Sequence, residues 1–485
     1  MATGRRVIMN TGALAVGSFW RIGAAFLVQV LIARKLGVAA LGAYAVTLAW
    51  INVAQIIIEA GLPTLIVLEV SGRPQLRRAW FWRALTLQLT LSLLVWATLA
   101  ALALLGQRLG APAQYRALLL VGSATLPLYA IFSAVASIFE ASERMERIFA
   151  AEALSNVVLL AGVGLALWLG QGVVAVLWVT VLAQSAALGL ALLLLWRGRS
   201  FAAPQRSVAL PWRATLRRAA PFFGLSLTDV LQQRSDLLLL SLFATPLVIG
   251  AYSAANSIVR VGIKLVNAYW RALYPTLARL NDSAPAAFAR LDGLALRFGA
   301  ALALPAAALG TLVSGGLVSL LFGEGYGATA LPLALLLWSA PLYLWEQRAV
   351  VLLAVARRPR SALVVALSQL AALLLCLPPL TMAWGAAGAA LAGVFSGLVG
   401  ALCGVWMMAR AKLPLRLESV LRPTFAAVAA ALAAAAAAAL LPIAWPLQMA
   451  AGIVAYMAAG WLLSAFTLSD WTLMRQAMRA PRTNS

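Results

Sequence analysis

The sequence predicts an all-α polytopic membrane protein with about fourteen transmembrane helices. Three observations carry that expectation. Of 485 residues, 64% are hydrophobic and only 11% are charged, with a mean hydropathy of +0.94, far outside the soluble globular range. Apolar windows long enough to cross a hydrocarbon core of ~30 Å at ~1.5 Å per residue recur along the chain. Basic residues collect between alternate windows, as the positive-inside rule requires. A net charge of +23 would suggest nucleic acid for a soluble chain. Here the Arg and Lys residues lie mainly between spans, so topology is the preferred explanation and no nucleic-acid partner is expected.

The first six spans fall near 11–33, 42–68, 80–105, 116–139, 148–169 and 172–196. Arg5 and Arg6 precede the first of them, but Arg21 interrupts the apolar run, so it reads as a retained helix rather than a signal peptide. A basic connection, 197–218, follows, and then a helical hairpin at 219–243 and 248–274. Six more spans lie near 294–322, 329–355, 361–380, 386–408, 423–441 and 446–467. The thirteenth is the weakest, because its 426–439 stretch is nearly all alanine. The polar, partly amphipathic stretch 276–293 is expected to lie along the membrane surface. Loops carrying Arg73, Arg77, Arg78, Arg144, Arg147, Arg357, Arg358 and Arg410 fall on one side, which places both termini in the cytoplasm.

The hairpin is the most informative stretch. Its first arm holds Asp229, Gln232, Gln233, Arg234 and Asp236 in mid-span, and its return arm holds Asn256, Arg260, Lys264, Asn267 and Arg271. Positions 260, 264, 267 and 271 step by four, three and four residues, so on a helix they form one narrow stripe. A charge inside a membrane costs roughly 2.5–3.5 kcal/mol on insertion scales, so such residues face a bundle interior or a wet cavity. Folding at 244–247 brings Asp229 to about the depth of Arg260, where the two could pair; Arg234 points away and must find another partner or snorkel.

Gly42-Ala43-Tyr44 opens the second span and Gly250-Ala251-Tyr252 opens the eighth. The matching offset sets Arg21 opposite Asp229 and Asn52 opposite Arg260. Six spans separate the copies, which implies a parallel repeat about a pseudo-twofold axis normal to the membrane.

Leu36-Gly37, followed by Leu41-Gly42-Ala43-Tyr44 and Gly61-Leu62, resembles the opening signature of bacterial polysaccharide flippases. Asp236, the run Val248-Ile249-Gly250-Ala251-Tyr252-Ser253-Ala254-Ala255 and Tyr274-Pro275 resemble the signature of their second half. Leu321-Phe322-Gly323-Glu324-Gly325-Tyr326 is similar to the element before their tenth span. The resemblance covers most of the chain and points to the superfamily that joins multidrug extrusion proteins, lipid-linked oligosaccharide (O-antigen and other polysaccharide) flippases and the lipid II flippase.

That resemblance implies two six-helix lobes around a central cavity open alternately to each side. Here the lobes would be 1–196 and 219–408, joined by the cytoplasmic linker 197–218, with two further helices and a cytoplasmic tail in 409–485. It implies an undecaprenyl-pyrophosphate-linked glycan as substrate, the bacterial inner membrane as location, and polysaccharide polymerase or ligase machinery as candidate partners. Arginines of the first and eighth helices line the cavity in related flippases, and Arg21 and Arg260 occupy comparable positions. The second span carries Asn52, Gln55 and Glu59 but no arginine, a departure that argues against a peptidoglycan precursor as cargo.

Arg21, Arg260 and Lys264 are therefore the candidates for pyrophosphate recognition, since a diphosphate in a low-dielectric interior needs fixed positive charge and Arg binds phosphate oxygens in pairs. The competing role for Arg260 is an ion pair with Asp229 that only joins two helices. Arg271, near the inner boundary, reads as an interfacial anchor. Asn256 and Asn267, with Gln232 and Gln233, can bond either sugar hydroxyls or neighbouring helices. Glu59, Asp229 and Asp236 are intramembrane carboxylates, hence candidate proton or cation coupling sites; Glu59 has no partner nearby in sequence. Glu346, close to Arg348, is another such carboxylate, for which local structure competes with coupling.

There are no histidines, so imidazole catalysis and the commonest metal ligand are both missing, and no cofactor or metal is expected. Cys376 and Cys403 fall near opposite membrane faces and read as packing residues rather than a disulfide. Trp80, Trp82, Trp338, Trp384, Trp445 and Trp471 fall near span ends, as an aromatic belt requires. Gly61 with Pro63, Pro305 and Pro341 are candidate bend points. The leading reading is an alternating-access flippase, with no covalent chemistry, working as a monomer because both lobes lie in one chain. A cation-coupled multidrug exporter is the nearest rival, kept alive by Asp229 and Asp236. A membrane-embedded glycan polymerase or ligase would need larger outer loops, and a non-transporting scaffold would not need the cationic stripe.

Overall fold

The computed structural model describes residues 20, 22–108, 113–198, 211–413, 418–440 and 444–462. Among these residues every regular element is helical. That is the solution hydrocarbon imposes, because a helix satisfies its own backbone donors and acceptors where water cannot. Helix α1 covers 22–36. It is followed by α2 (Val38–Glu59), α3 (Leu62–Val70), α4 (Arg77–Arg108), α5 (Ala113–Ser123), α6 (Thr125–Ala141), α7 (Met145–Trp168) and α8 (Val173–Arg197). Then come α9 (Trp212–Phe243), α10 (Pro246–Ser283), α11 (Pro285–Leu312), α12 (Ser314–Phe322), α13 (Ala330–Leu336), α14 (Ser339–Val355), α15 (Pro359–Arg410), α16 (Glu418–Leu440) and α17 (Trp445–Leu462).

Short breaks divide four of the passes: α2 from α3, α5 from α6, α11 from α12 and α13 from α14. The 52-residue α15 is in turn two passes. Its helical backbone fails at Trp384 and at Gly385, where φ is +56° and ψ is −132°. A Cβ on Gly388 would overlap the Leu380 carbonyl, so the chain doubles back there. Gly400 faces Gln369 and Gly404 faces Val365, the pairing of an antiparallel hairpin. The described helices thus make the fourteen passes expected, and nine stretches are long and apolar enough to cross a membrane.

The chain divides into two compact units, Met1–Ser241 and Leu242–Ser485. The core of the first is built by Leu62, Ile66, Trp80, Ile138 and Phe139, all at most 2% exposed. That of the second is built by Trp270, Leu277, Leu296, Leu352 and Met408, all at most 1% exposed. The alanine-rich α16 packs against α17 and α11, with Ala426, Ala427 and Ala430 buried beside Tyr456. Small side chains let these helices approach closely, so the stretch that looked weak by hydropathy is held by packing. Tyr456 Oη donates to the Ala301 carbonyl at 2.6 Å, and the Trp445 ring covers Gly316.

Two expectations are corrected. The 276–293 stretch is not a separate surface segment: α10 runs on through Pro275 to Ser283, the chain turns at Ala284, and α11 begins at Pro285. Its apolar positions Leu277, Phe288 and Leu291 enter the core of the second unit, which explains the partial amphipathicity. Trp80 is not a belt residue but a buried one, 2% exposed, whereas Trp82 and Trp384 are exposed at 53% and 61%. Trp471 lies outside the described residues. Cys376 and Cys403 are free thiols.

Candidate functional site

The repeated signature residues turn out to be packing residues. Leu41, Ala43 and Tyr44 at the start of α2 are 0–5% exposed, and Ile249, Ala251, Tyr252, Ala254 and Ala255 at the start of α10 are 0–3% exposed. Gly61 has a sharper role. At φ +72° it forms the break between α2 and α3, and a Cβ there would overlap the Ala219 carbonyl and the Phe223 amide nitrogen of α9. Only glycine combines that backbone conformation with that approach. Arg218, at the same end of α9, bridges Glu69 of α3 at 3.1 Å, and Glu69 also meets Arg73 at 3.7 Å. The Trp50 indole of α2 donates to Ser241 Oγ of α9 at 3.2 Å. The seventh pass thereby meets the second at Gly61, Glu69 and Trp50.

Glu59 closes α2 immediately before this break. Its partner, invisible in the local sequence, is the Tyr129 hydroxyl of α6, which donates to Glu59 Oε1. Along α9, Asp229 is exposed and accepts a bond from Gln233 Nε2 at 2.8 Å, one helical turn on. Asp236 is 8% exposed and its Oδ1 accepts from the Leu237 amide at 2.8 Å. Arg234 is half-buried and engaged.

The cationic stripe lies on one continuous helix. α10 starts with Pro246 at its first position, capped by Thr245, whose hydroxyl accepts from the Val248 amide at 3.5 Å. Asn256 is 7% exposed, Arg260 is half-buried, and Lys264 and Arg271 are exposed. Asn267 accepts from the Tyr343 hydroxyl of α14 at 2.9 Å, so in this conformation it serves a contact between helices. Arg260 and Lys264 sit one turn apart, a spacing at which two cations can converge on one diphosphate. Arg21 lies outside the described residues.

Arg348 does not pair with its neighbour Glu346. Two residues apart on a helix, they point to different sides. Arg348 Nε and Nη2 instead donate to both oxygens of Asp292 on α11, at 2.9 and 2.7 Å, with both side chains 0% exposed. Asp292 belongs to the stretch read as a surface segment, which hid it. The only signal was Arg348 itself, a guanidinium in an apolar pass that had to be answered from another helix. Among the described residues no group of three or more potential ligands for a metal ion is present.

Comparison with known proteins fits this architecture. Among solved structures, the chain is similar to the lipid II flippase MurJ in an inward closed conformation, at 14% identity over 92% of this chain and 98% of that one, with a TM-score of 0.73. It is similar to an inward-facing multidrug resistance MATE family transporter of the MOP superfamily, at 15% identity over 81% and 94%, with a TM-score of 0.66. A Vibrio cholerae MATE transporter, VcmN in its bent form, matches at 16% identity over 84% and 96%, with a TM-score of 0.52. At these identities the likeness is one of fold. No curated protein matches the chain by sequence. The model of a family described as polysaccharide biosynthesis protein matches residues 7–281, more than half of the 485, and takes in both copies of the Gly-Ala-Tyr signature, the Gly61 break and the Arg260–Lys264 turn. The chain belongs to the polysaccharide biosynthesis protein family.

Proposed function

We propose that the chain is a flippase carrying an undecaprenyl-pyrophosphate-linked oligosaccharide, a repeat unit of O-antigen lipopolysaccharide or another polysaccharide, from the inner to the outer leaflet of the bacterial inner membrane. The observation that carries this reading is the α10 face on which half-buried Arg260 and exposed Lys264 lie one turn apart, in a helix whose opening turns are packed and apolar. Fixed guanidinium and ammonium groups replace the hydration of a diphosphate inside the membrane. In this mechanism Arg21, Arg260 and Lys264 hold the pyrophosphate while the protein alternates its access between the two sides. Asn256 and Asn267, each engaged in this conformation, offer their amides to the glycan when those bonds exchange. Glu59, Asp229 and Asp236 are the coupling candidates. Both termini are cytoplasmic, the polymerase or ligase acts on the delivered glycan, and one chain suffices.

The second reading, a cation-coupled multidrug exporter, is favoured by exposed Asp229, a carboxylate available to a cationic drug. Native mass spectrometry of the purified protein separates the two. The flippase reading expects retention of an undecaprenyl-pyrophosphate oligosaccharide that weakens at least several-fold in Arg260→Gln and in Arg21→Gln. Retention of cationic drugs, lost in Asp229→Asn, with no glycolipid bound would replace it.

A further inference from the structure

Glu346 occupies an unusual place in the second unit. The second arm of α15 presents Gly393, Gly397, Gly400 and Gly404, spaced four, three and four residues apart, as a strip along which α13 and α14 lie. Opposite them stand Leu336, Leu342, Glu346 and Ala349. A Cβ on Gly404 would lie 2.7 Å from Ala349 Cβ, and one on Gly400 would lie 3.1 Å from Glu346 Cδ and 3.2 Å from its Oε2. The carboxyl therefore fills the notch that the missing Cβ leaves, in a seam lined by leucine and alanine and, from the first arm of α15, by Gln369, whose Cβ lies 3.2 Å from the same point. It is 2% exposed, and Oε2 has no hydrogen-bond partner.

The neighbouring titratable groups are otherwise occupied or turned away. Arg348 of α14 is held by Asp292 of α11; Arg297 of α11 and Arg260 and Lys264 of α10 have partners of their own; Tyr343 of α14 donates to Asn267 Oδ1 at 2.9 Å and Tyr269 of α10 to the Ala295 carbonyl at 2.7 Å; Arg271 is exposed; and half-buried Cys403 of α15 packs against the core. Glu346 forms no hydrogen bond or ion pair among the described residues. An ionised carboxylate is costly in a buried, closely packed seam without a countercharge.

We propose that Glu346 is a proton-binding site of the transport cycle. It holds a proton while the seam between α14 and α15 is closed; when the seam parts, the O–H bond breaks and the proton passes to entering water. The carboxylate then keeps the seam open until it is reprotonated. The proposal rests on the reading of the chain as a transporter but not on its cargo, and neither readout below needs a cargo.

The chain has two cysteines, and half-buried Cys403 precedes Gly404 on α15, about a quarter turn from the glycine strip. In full-length Cys376→Ser protein reconstituted in nanodiscs, Cys403 labelling by a maleimide is followed from mildly acid to mildly alkaline pH, with and without Glu346→Gln. The amide keeps the shape of the neutral acid and cannot ionise. Labelling should rise with pH several-fold more steeply with Glu346 than with Gln, the Gln variant supplying the intrinsic thiol reactivity. Infrared titration should show a protonated-carboxyl band that disappears at alkaline pH, is missing in Glu346→Gln and persists in Glu59→Gln. Equal labelling profiles, or an infrared titration unchanged by Glu346→Gln, would overturn the proposal. So would a rise in labelling produced by sodium at fixed pH, which would make the ligand a metal cation. If the Gln variant cannot be recovered, the wild-type infrared titration still decides, because absence of any protonated-carboxyl band near neutrality refutes the site.

Discussion

Changing Asp292 to Asn leaves Arg348 as a buried guanidinium whose bidentate partner can no longer carry charge. Both side chains are 0% exposed and the two bonds are 2.9 and 2.7 Å, so no solvent is available to compensate. The Trp345 ring, centred 5.6 Å from Arg348 Cζ, carries no charge that could replace the lost carboxylate. Removing one member of such a pair costs about 3–5 kcal/mol, whereas replacing both by apolar residues of similar volume is close to neutral. The single change should therefore shift the unfolding equilibrium by about two to four orders of magnitude. Asp292→Leu combined with Arg348→Met should recover most of that loss. Denaturant titration in detergent, followed by tryptophan fluorescence, gives the four corners of a double-mutant cycle. A single change costing less than about 1 kcal/mol, or a double change equal to the sum of the singles, would refute the reasoning, because either result means that the two charges are not desolvated together.

Two further outcomes follow from the first unit. Gly61→Ala should lower stability by more than about 1 kcal/mol and reduce the yield of folded protein on gel filtration, since the new methyl meets both a left-handed backbone and the α9 main chain; a melting temperature like that of wild type would contradict the close approach. Tyr129→Phe should cost about 1–3 kcal/mol, measured in the same denaturant titration, by leaving the Glu59 carboxyl without its hydroxyl donor, and Glu59→Gln in that background should add little. Additive losses in the pair would show that the two side chains do not interact.

The all-helical membrane architecture was legible because hydropathy and the distribution of Arg and Lys report burial in lipid directly. The split of α15 into two passes was legible too, since Trp384-Gly385 marks a turn between two apolar runs. What escaped was everything decided across helices. Trp80 near a span end looks the same in sequence whether it meets headgroups or core. Asp292 looked solvated because hydropathy averages over a window and cannot see one helix face. Tyr129 and Glu59 are 70 residues apart, so no local spacing links them. The family signatures were recognisable, but their physical content was not: Gly61 and the buried Gly-Ala-Tyr residues secure packing, while the charges that suit a cargo lie further along α10.

The contact between Gly61 and α9 also constrains how the protein is made. The seat at the α2–α3 break belongs to residues near the start of the chain, and the backbone that fills it, around Ala219 and Phe223, is synthesised only after six passes have entered the membrane. Until then the glycine at the break has no α9 backbone against it, and Glu69 lacks Arg218. The first unit is therefore finished by a strand of nascent chain that leaves the ribosome late, which makes the length and composition of the basic connection before α9 a matter of biogenesis as much as of topology.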